Sequence, residues 1–184
     1  GLGDVYKRQI LDKALGKAHR RHVLNSAGIE RFSDLQYDMV RLGIGLHGIG
    51  ESSELRPVSS FLTTVSQVRM VPAGESVGYS RIGVTQKPSR IATIPVGYAD
   101  GFHRELGRGR GKVCIKGLKV PTIGEVCMDM TMIDVSGTDI SEGDVVEIFG
   151  KEQSVSELAR MAGTIPYDIL CSIPERVKRV YLQE

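Results

Sequence analysis

The sequence predicts two parts: the last βα units of a truncated TIM-type barrel, and behind them a mainly antiparallel, barrel-like β domain. Residues 10 to 48 alternate between helical patterns and short apolar stretches, which is the rhythm of a βα barrel. Beyond a polar, proline-ended linker at 52–57, short apolar runs alternate with glycines and prolines, which is strand spacing. We therefore expect an incomplete barrel over 10–54 and a β domain over 55–184. Residues 1–9 lack an initiator methionine, and we interpret them as a non-native leader.

In the N-terminal part, the pattern from Ile10 to about His19 predicts a helix of mixed charge. Residues 22–26 predict a short strand that enters a turn, and a second helix is expected over 32–40. Residues 41–48 then predict a strand with loop glycines at its end. Helix, strand, helix and strand in this order give the two final units of a βα barrel.

In the C-terminal part, apolar runs between turn residues predict strands at 61–71, 90–96, 112–115, 118–123, 131–135 and 145–149. One helix interrupts them. Ser154 followed by Glu157 resembles a capping box, and Gly163 stands where a helix would stop, so a helix is predicted over Val155–Ala162.

Composition excludes several classes of function. The 184 residues contain 41% hydrophobic residues, enough for a core, while a net charge of +2 gives no large field for nucleic acid or a membrane surface. No run approaches the ~20 apolar residues that cross a bilayer. The three cysteines form no CxxC pair and no histidine completes a metal site, so we expect reduced thiols, no metal and a cytoplasmic location.

Three motifs in the middle of the chain are the most informative. They are Gly78-Tyr79-Ser80-Arg81, Ile94-Pro95-Val96-Gly97-Tyr98-Ala99-Asp100-Gly101-Phe102 and Val126-Cys127-Met128-Asp129. Together, in this order, they resemble alanine racemase. The resemblance implies an N-terminal βα barrel that carries pyridoxal 5'-phosphate and a C-terminal β domain, in agreement with the independent division above.

Tyr79 stands at the position of the family's catalytic tyrosine. Racemisation takes a proton from one face of Cα and delivers another to the opposite face, so two bases on opposite sides suit it. The resemblance implies that a lysine serves one face and that Tyr79, from the partner subunit, serves the other as the base on L-alanine. A free tyrosine has a pKa of about 10, so a base near neutral pH needs a positive charge or hydrogen bonds beside it. Arg81, two residues on, is a local candidate, although alternation in a strand could also place both side chains on one face by chance. The alternative is an ordinary strand tyrosine.

Cofactor contacts are also implied by the resemblance. Arg41 matches an arginine that hydrogen-bonds the pyridine nitrogen, and a cation there weakens the ring as an electron sink. The backbone amides of Gly43 and Ile44, with the Ser26 hydroxyl, match the phosphate site, and Tyr167 matches a tyrosine that reaches the same phosphate. The alternatives are a solvated helix-end arginine, a helix cap at Ser26 and a helix-start anchor at Tyr167.

Substrate contacts follow from the same resemblance. Tyr98, through its hydroxyl, and Met128, through its main-chain amide, match positions near the substrate carboxylate. Without the resemblance, the sequence around Met128 indicates a methionine that fills space in the core. Cys127 is expected to be a packed thiol, and Asp129 to hold a nearby loop through an ion pair whose partner the sequence does not name.

Taken together, the resemblance predicts an enzyme that interconverts L- and D-alanine and supplies D-alanine for peptidoglycan. It also implies a homodimer whose subunits share their active sites. One alternative is a racemase of another small amino acid such as serine. A second is a β interaction domain without chemistry of its own. Fusion to an upstream cell-wall ligase stays open.

In the family, the lysine that binds the cofactor covalently comes from earlier barrel strands, and no lysine of these 184 residues matches it. We therefore expect this chain alone to have no racemase activity. The check is an assay of the purified chain with added pyridoxal phosphate, where sustained turnover of L-alanine would contradict the expectation.

Overall fold

A computed structural model describes residues 7, 9–10, 13–14 and 20–182. The chain divides into two compact units, with the division between Val58 and Ser59. The sequence analysis placed this division after residue 54.

In residues 20–58 of the first unit, the backbone forms the helix α1 (Ser26–Arg31) and two 3-10 helices, Ser33–Leu35 and Ile44–His47. Asn25 determines where α1 begins, because its side chain accepts a hydrogen bond from the Gly28 N–H at 3.0 Å. A side-chain acceptor of this kind satisfies one of the N–H groups that the first helical turn leaves unpaired.

The helix predicted over 32–40 is wrong. The helix α1 begins earlier, at its Asn25 cap, and ends when Phe32 leaves the helical region with φ −135° and ψ 56°. Only the 3-10 turn Ser33–Leu35 falls in the predicted range. The left-handed backbone of Tyr37, with φ 50°, interrupts any longer helix.

The strands predicted at 22–26 and 41–48 are also wrong, because α1 begins inside the first segment and the second turns into a 3-10 helix at Ile44. A hydrogen bond from the Arg41 N–H to the Leu24 carbonyl, 2.9 Å long, joins the two segments without building a ladder. The helix predicted over residues 10–19 lies mostly outside the described residues, and 10, 13 and 14 are helical.

The second unit is mainly antiparallel β structure, as predicted. Its strands are β1 (Phe61–Thr64), β2 (Gln67–Val71), β3 (Ser76–Val77), β4 (Gly83–Val84), β5 (Ser89–Ile94), β6 (Lys112–Ile115), β7 (Leu118–Pro121), β8 (Thr131–Asp134) and β9 (Val145–Phe149). In the described residues they form a four-stranded sheet in the order β1-β9-β6-β7, a three-stranded sheet β2-β5-β8 and the hairpin β3-β4.

The sheets are open rather than closed into a barrel, and one isolated β-bridge connects the two larger sheets. An isolated antiparallel pair, Thr122 with Ile133, links the end of β7 to β8. The predicted single strand over 61–71 is two strands, because the chain changes partner at Val65. The Val65 N–H donates to the main-chain carbonyl of Asp144 at 2.9 Å. Before this residue β1 pairs with β9, and after it β2 pairs with β5.

Two helices follow the last strand: α2 (Val155–Ala162) and α3 (Pro166–Ser172). The predicted bounds of α2 are confirmed. The Ser154 hydroxyl accepts from the Glu157 N–H at 3.1 Å, and Gly163 ends the helix in the left-handed conformation with φ 73°. The Glu157 carboxylate bonds Lys119 Nζ at 2.5 Å, so the serine half of the predicted capping box is present and the glutamate side chain ties α2 to β7.

The assignment of Ser154 as the N-terminal cap of α2 can be tested by mutation. Replacing Ser154 with alanine removes the acceptor for the Glu157 N–H, and such a loss costs about 1 kcal/mol of stability. Urea unfolding followed by circular dichroism measures it. The matched control is Ser156→Ala, the same change inside the helix, where alanine is the better helix former. Equal effects of both variants would contradict the assigned cap.

Candidate active site

Tyr79 lies at the tip of the β3-β4 hairpin, in the 3-10 turn Tyr79–Arg81. Gly78 precedes it with φ 80°, and both Ser80 and Arg81 have left-handed backbones with φ 60° and 52°. Both Tyr79 and Arg81 therefore lie in a turn rather than in a strand. The two-residue strands end before the tyrosine, and the turn presents it to solvent with 72% of its surface exposed.

The base of this hairpin packs backbone against backbone. A Cβ on Gly83 would lie 2.6 Å from the Gly124 nitrogen, and one on Gly124 would overlap the Val77 carbonyl oxygen. Real Cβ atoms do not approach other atoms so closely, so only glycine fits at both positions. The segment that begins at Gly124 is thus the platform on which the Tyr79 turn is built.

Arg108 holds the start of this platform. Its backbone N–H donates to the Gly124 carbonyl at 2.7 Å, and its guanidinium Nε donates to Glu125 Oε1 at 2.8 Å. Glu125 is buried, with 7% of its surface exposed, so an opposite charge is needed beside it. The sequence analysis did not find this pair, since nothing in the local pattern joins residues 17 positions apart.

Tyr98 and Met128 are brought together by two hydrogen bonds between their loops. The N–H groups of Tyr98 and Ala99 donate to the carbonyls of Cys127 and Met128, both at 3.0 Å. The loops approach closely because of Gly97, where a Cβ would overlap the carbonyl oxygens of Cys127 and Met128.

The exposed surfaces of this pair point to a role outside the core. Tyr98 is 45% and Met128 51% exposed, so Met128 is not core filler. Within the described residues no acceptor takes the Met128 N–H, which stays available to a ligand. Cys127 is a packed thiol as expected, 8% exposed, and burial raises its pKa.

Asp129 finds its ion-pair partner in Arg176, whose Nη2 lies 2.8 Å from Asp129 Oδ1. The same guanidinium also bonds Asp100, and the two carboxylates together raise the pKa of Arg176 above its usual range.

In the first unit, Ser26 and the 43–45 loop form a compact polar group. Ser26 Oγ accepts hydrogen bonds from the N–H groups of Gly43 at 2.9 Å and Gly45 at 3.2 Å. Asn25 is the helix cap, so the cap alternative for Ser26 is wrong. Because the buried hydroxyl oxygen receives two N–H donors, its own proton is directed elsewhere, and within residues 20–182 neither that proton nor the Ile44 N–H has an acceptor.

Arg41 and Tyr167 are the other cofactor candidates. Arg41 is exposed and its Nη2 makes a long bond, 3.4 Å, to the Val23 carbonyl in the first unit. In the second unit, Tyr167 follows Pro166 at the start of α3 and is 48% exposed. Asp168 beside it accepts a hydrogen bond from the Thr164 hydroxyl at 2.8 Å, so the helix start is anchored by Thr164 and Asp168 while the Tyr167 ring faces outward.

Other site classes receive no support from the described part of the chain. Among those residues no group of three or more His, Cys, Asp or Glu side chains could hold a metal ion. None of the helices described is long and apolar enough to cross a membrane.

Comparison with known proteins identifies the class of the second unit. Residues 58–181 match the family model described as alanine racemase, C-terminal domain. The chain belongs to the alanine racemase family, of which it carries the C-terminal part.

Individual relatives agree. The chain is 42% identical over 173 residues to the alanine racemase of Desulfosudis oleivorans, covering 88% of this chain and 44% of that protein. It is 39% identical over 176 residues to that of Clostridium tetani, covering 89% and 46%. The chain thus spans about half the length of the curated relatives it matches.

Solved structures give the same result. The alanine racemase of Bartonella henselae, with covalently bound pyridoxal phosphate, superposes with a TM-score of 0.90 at 33% identity, covering 99% of this chain and 53% of that one. The enzyme of Bacillus anthracis with bound L-Ala-P gives a TM-score of 0.87 at 30% identity, covering 98% and 50%.

The close approach at Gly97 can be tested directly. Gly97 has φ −139°, which any residue adopts, so Gly97→Ala tests the overlap with the Cys127 and Met128 carbonyls alone. We expect a loss of stability of about 1–3 kcal/mol and faster hydrogen exchange at the Tyr98 and Ala99 amides.

The control for this variant is Gly117→Asn. A Cβ at Gly117 meets nothing within 4 Å, and asparagine tolerates its left-handed backbone. Unchanged amide exchange in Gly97→Ala would show that the two loops do not depend on this contact.

Proposed function

We propose that this chain is the C-terminal part of a pyridoxal phosphate-dependent alanine racemase that interconverts L- and D-alanine by two bases. The observation that carries the proposal is the placement of Tyr79, which is held out to solvent on a left-handed turn above a glycine platform. Backbone in sparsely populated conformations is commonly kept where it serves a function. An exposed, fixed tyrosine fits a base that enters a site formed with another subunit.

The residues of the first unit fit a phosphate group. The Ser26 hydroxyl proton at the start of α1 and the Ile44 N–H are two donors on neighbouring segments. Ser26 accepts from Gly43 and Gly45, which polarises its O–H bond. Donors without carboxylates among them suit an anion. Ser26 and Ile44 would donate to the cofactor phosphate, whereas the Gly43 N–H, which the sequence also assigned to the phosphate, is used by Ser26 Oγ. The family resemblance alone assigns Tyr167 to the same phosphate and Arg41 to the pyridine nitrogen.

When bound, pyridoxal phosphate withdraws electrons from the alanine Cα and so makes its hydrogen acidic. The chain's own residues then orient the substrate and move protons. The Tyr98 hydroxyl and the Met128 N–H bind the carboxylate, which fixes the direction of the Cα–H bond. Tyr79 Oη takes that proton from L-alanine or returns one to form it, while a lysine outside these 184 residues serves the opposite face.

The exposure of Tyr79 supports a homodimer in which each subunit supplies this tyrosine to its partner's site. The product, D-alanine, would serve peptidoglycan synthesis in the cytoplasm. The net charge of +2 and the lack of a long apolar helix among the described residues give no support to a nucleic acid or membrane partner. The second enzymatic hypothesis is a racemase that prefers serine. Comparing the turnover of alanine and serine by the complete protein distinguishes the two hypotheses.

The test of the function uses the complete protein that contains this chain, loaded with pyridoxal phosphate. Tyr79→Phe removes only the phenolic oxygen, so racemisation should fall by about 100-fold or more, the usual contribution of a general base. In D₂O the variant should still exchange the α-hydrogen of D-alanine through the lysine, while exchange on L-alanine is lost. Proton NMR follows both exchanges.

The matched control is Tyr181→Phe, the same change at a tyrosine that is 87% exposed. It should retain full activity. A Tyr79→Phe protein as active as this control would favour the non-catalytic interaction domain.

A further inference from the structure

Arg176 joins two loops that are distant in sequence. Its Nε donates to Asp100 Oδ1 at 2.9 Å and its Nη2 to Asp129 Oδ1 at 2.8 Å. Asp100 ends the turn that begins with Tyr98, and Asp129 directly follows Met128. The arginine therefore bridges the two segments that present the proposed carboxylate ligands.

Asp100 is prepared for this contact from the other side. Its Oδ2 accepts the Gly97 N–H at 2.9 Å, and its side chain is only 14% exposed. The carboxylate thus fixes the start of the Tyr98 turn with one oxygen and Arg176 with the other. Because a guanidinium is planar and its donors are rigidly spaced, it fixes the separation of two carboxylates in a way that a single ammonium does not.

We propose that Arg176 is a positioning residue for the substrate carboxylate: by bridging Asp100 and Asp129 it sets the distance between the Tyr98 hydroxyl and the Met128 N–H. This inference rests on the proposed function, because the two ligands are assigned there. Arg176 itself touches neither substrate nor cofactor in this account. The backbone bonds between the loops hold the carbonyls of Cys127 and Met128, and Arg176 holds the next residue, Asp129.

A purely structural role is distinguishable from this one. Arg176 is 49% exposed at its side chain, and exposed ion pairs contribute little to stability. Positioning instead changes binding. If both ligands contact the carboxylate equally in the ground state and the transition state, their loss raises KM with little change in kcat.

The experiment compares Arg176→Gln, Arg176→Lys and the control Lys178→Gln in the complete, cofactor-loaded protein. Lys178 is exposed, carries the same charge two residues away, and has no ion-pair partner among the described residues. The readouts are KM and kcat for L-alanine, the melting temperature and the inhibition constant of propionate. Propionate keeps the carboxylate and methyl group of alanine but lacks the amine, so it reports carboxylate binding without turnover.

We expect Arg176→Gln to raise the alanine KM and the propionate inhibition constant about tenfold, since a misplacement of ~1 Å can cost up to about 100-fold. The melting temperature should match that of the control, and Arg176→Lys should fall between parent and Arg176→Gln. Asp129→Asn should raise KM similarly, and the double variant should add no further rise, because both changes break one bridge.

Values of KM and propionate inhibition equal to those of Lys178→Gln would overturn the inference, as would a fall in melting temperature with both binding constants unchanged. The parent protein separates these results from the proposed function. A parent without racemase activity rejects that function, whereas an active parent with an unaffected Arg176→Gln variant rejects only the role of Arg176.

Discussion

The close backbone packing around residues 124–128 is the constraint on which the proposed chemistry depends. On one side, Gly124 meets the base of the Tyr79 hairpin where no side chain fits, and on the other, the carbonyls of Cys127 and Met128 fill the space beside Gly97. One five-residue segment thus contacts the loops of both tyrosines. The proposed base and the proposed carboxylate site need a fixed separation for proton transfer at Cα, and contact with one shared segment favours it.

Charge reinforces both ends of the segment. At the start of residues 124–128, Arg108 forms an ion pair with the buried Glu125. Just after their end, Arg176 forms ion pairs with both Asp129 and Asp100. The first pair is needed because an isolated buried carboxylate is costly. The second lies nearer to solvent, where it contributes geometry more than stability. In the first unit, the N–H groups of Gly43 and Gly45 donate to the Ser26 hydroxyl oxygen and so direct its proton away from them.

Local chemistry predicted the elements whose ends carry a recognisable signal. Ser154 and Gly163 define α2 because a cap and a left-handed glycine act within one turn, and the strands at 112–115 and 145–149 are short apolar runs bounded by turn residues. The Tyr79 turn was missed because the left-handed backbone of Ser80 and Arg81 is imposed by the hairpin and its glycine platform. These are contacts with residues about 40 positions later in the sequence.

In the candidate site, too, local motifs revealed some residues and missed contacts between distant parts of the sequence. The motifs indicated Tyr79, Tyr98 and Met128, but the bridge from Arg176 to Asp100 spans 76 residues, and no local pattern reveals it. In the N-terminal part, prediction was weakest since 22–48 carries helical and strand patterns together. There the Asn25 cap and the Ile44 turn, rather than the apolar periodicity, decide the conformation.

We propose that this chain completes an enzyme that inverts the α-carbon of alanine. The most direct measurement is the optical rotation of an L-alanine solution incubated with the complete protein and saturating pyridoxal phosphate. We expect the rotation to decay to zero as equal amounts of L- and D-alanine form. A rotation that stays constant while the protein is folded and cofactor-loaded would contradict it.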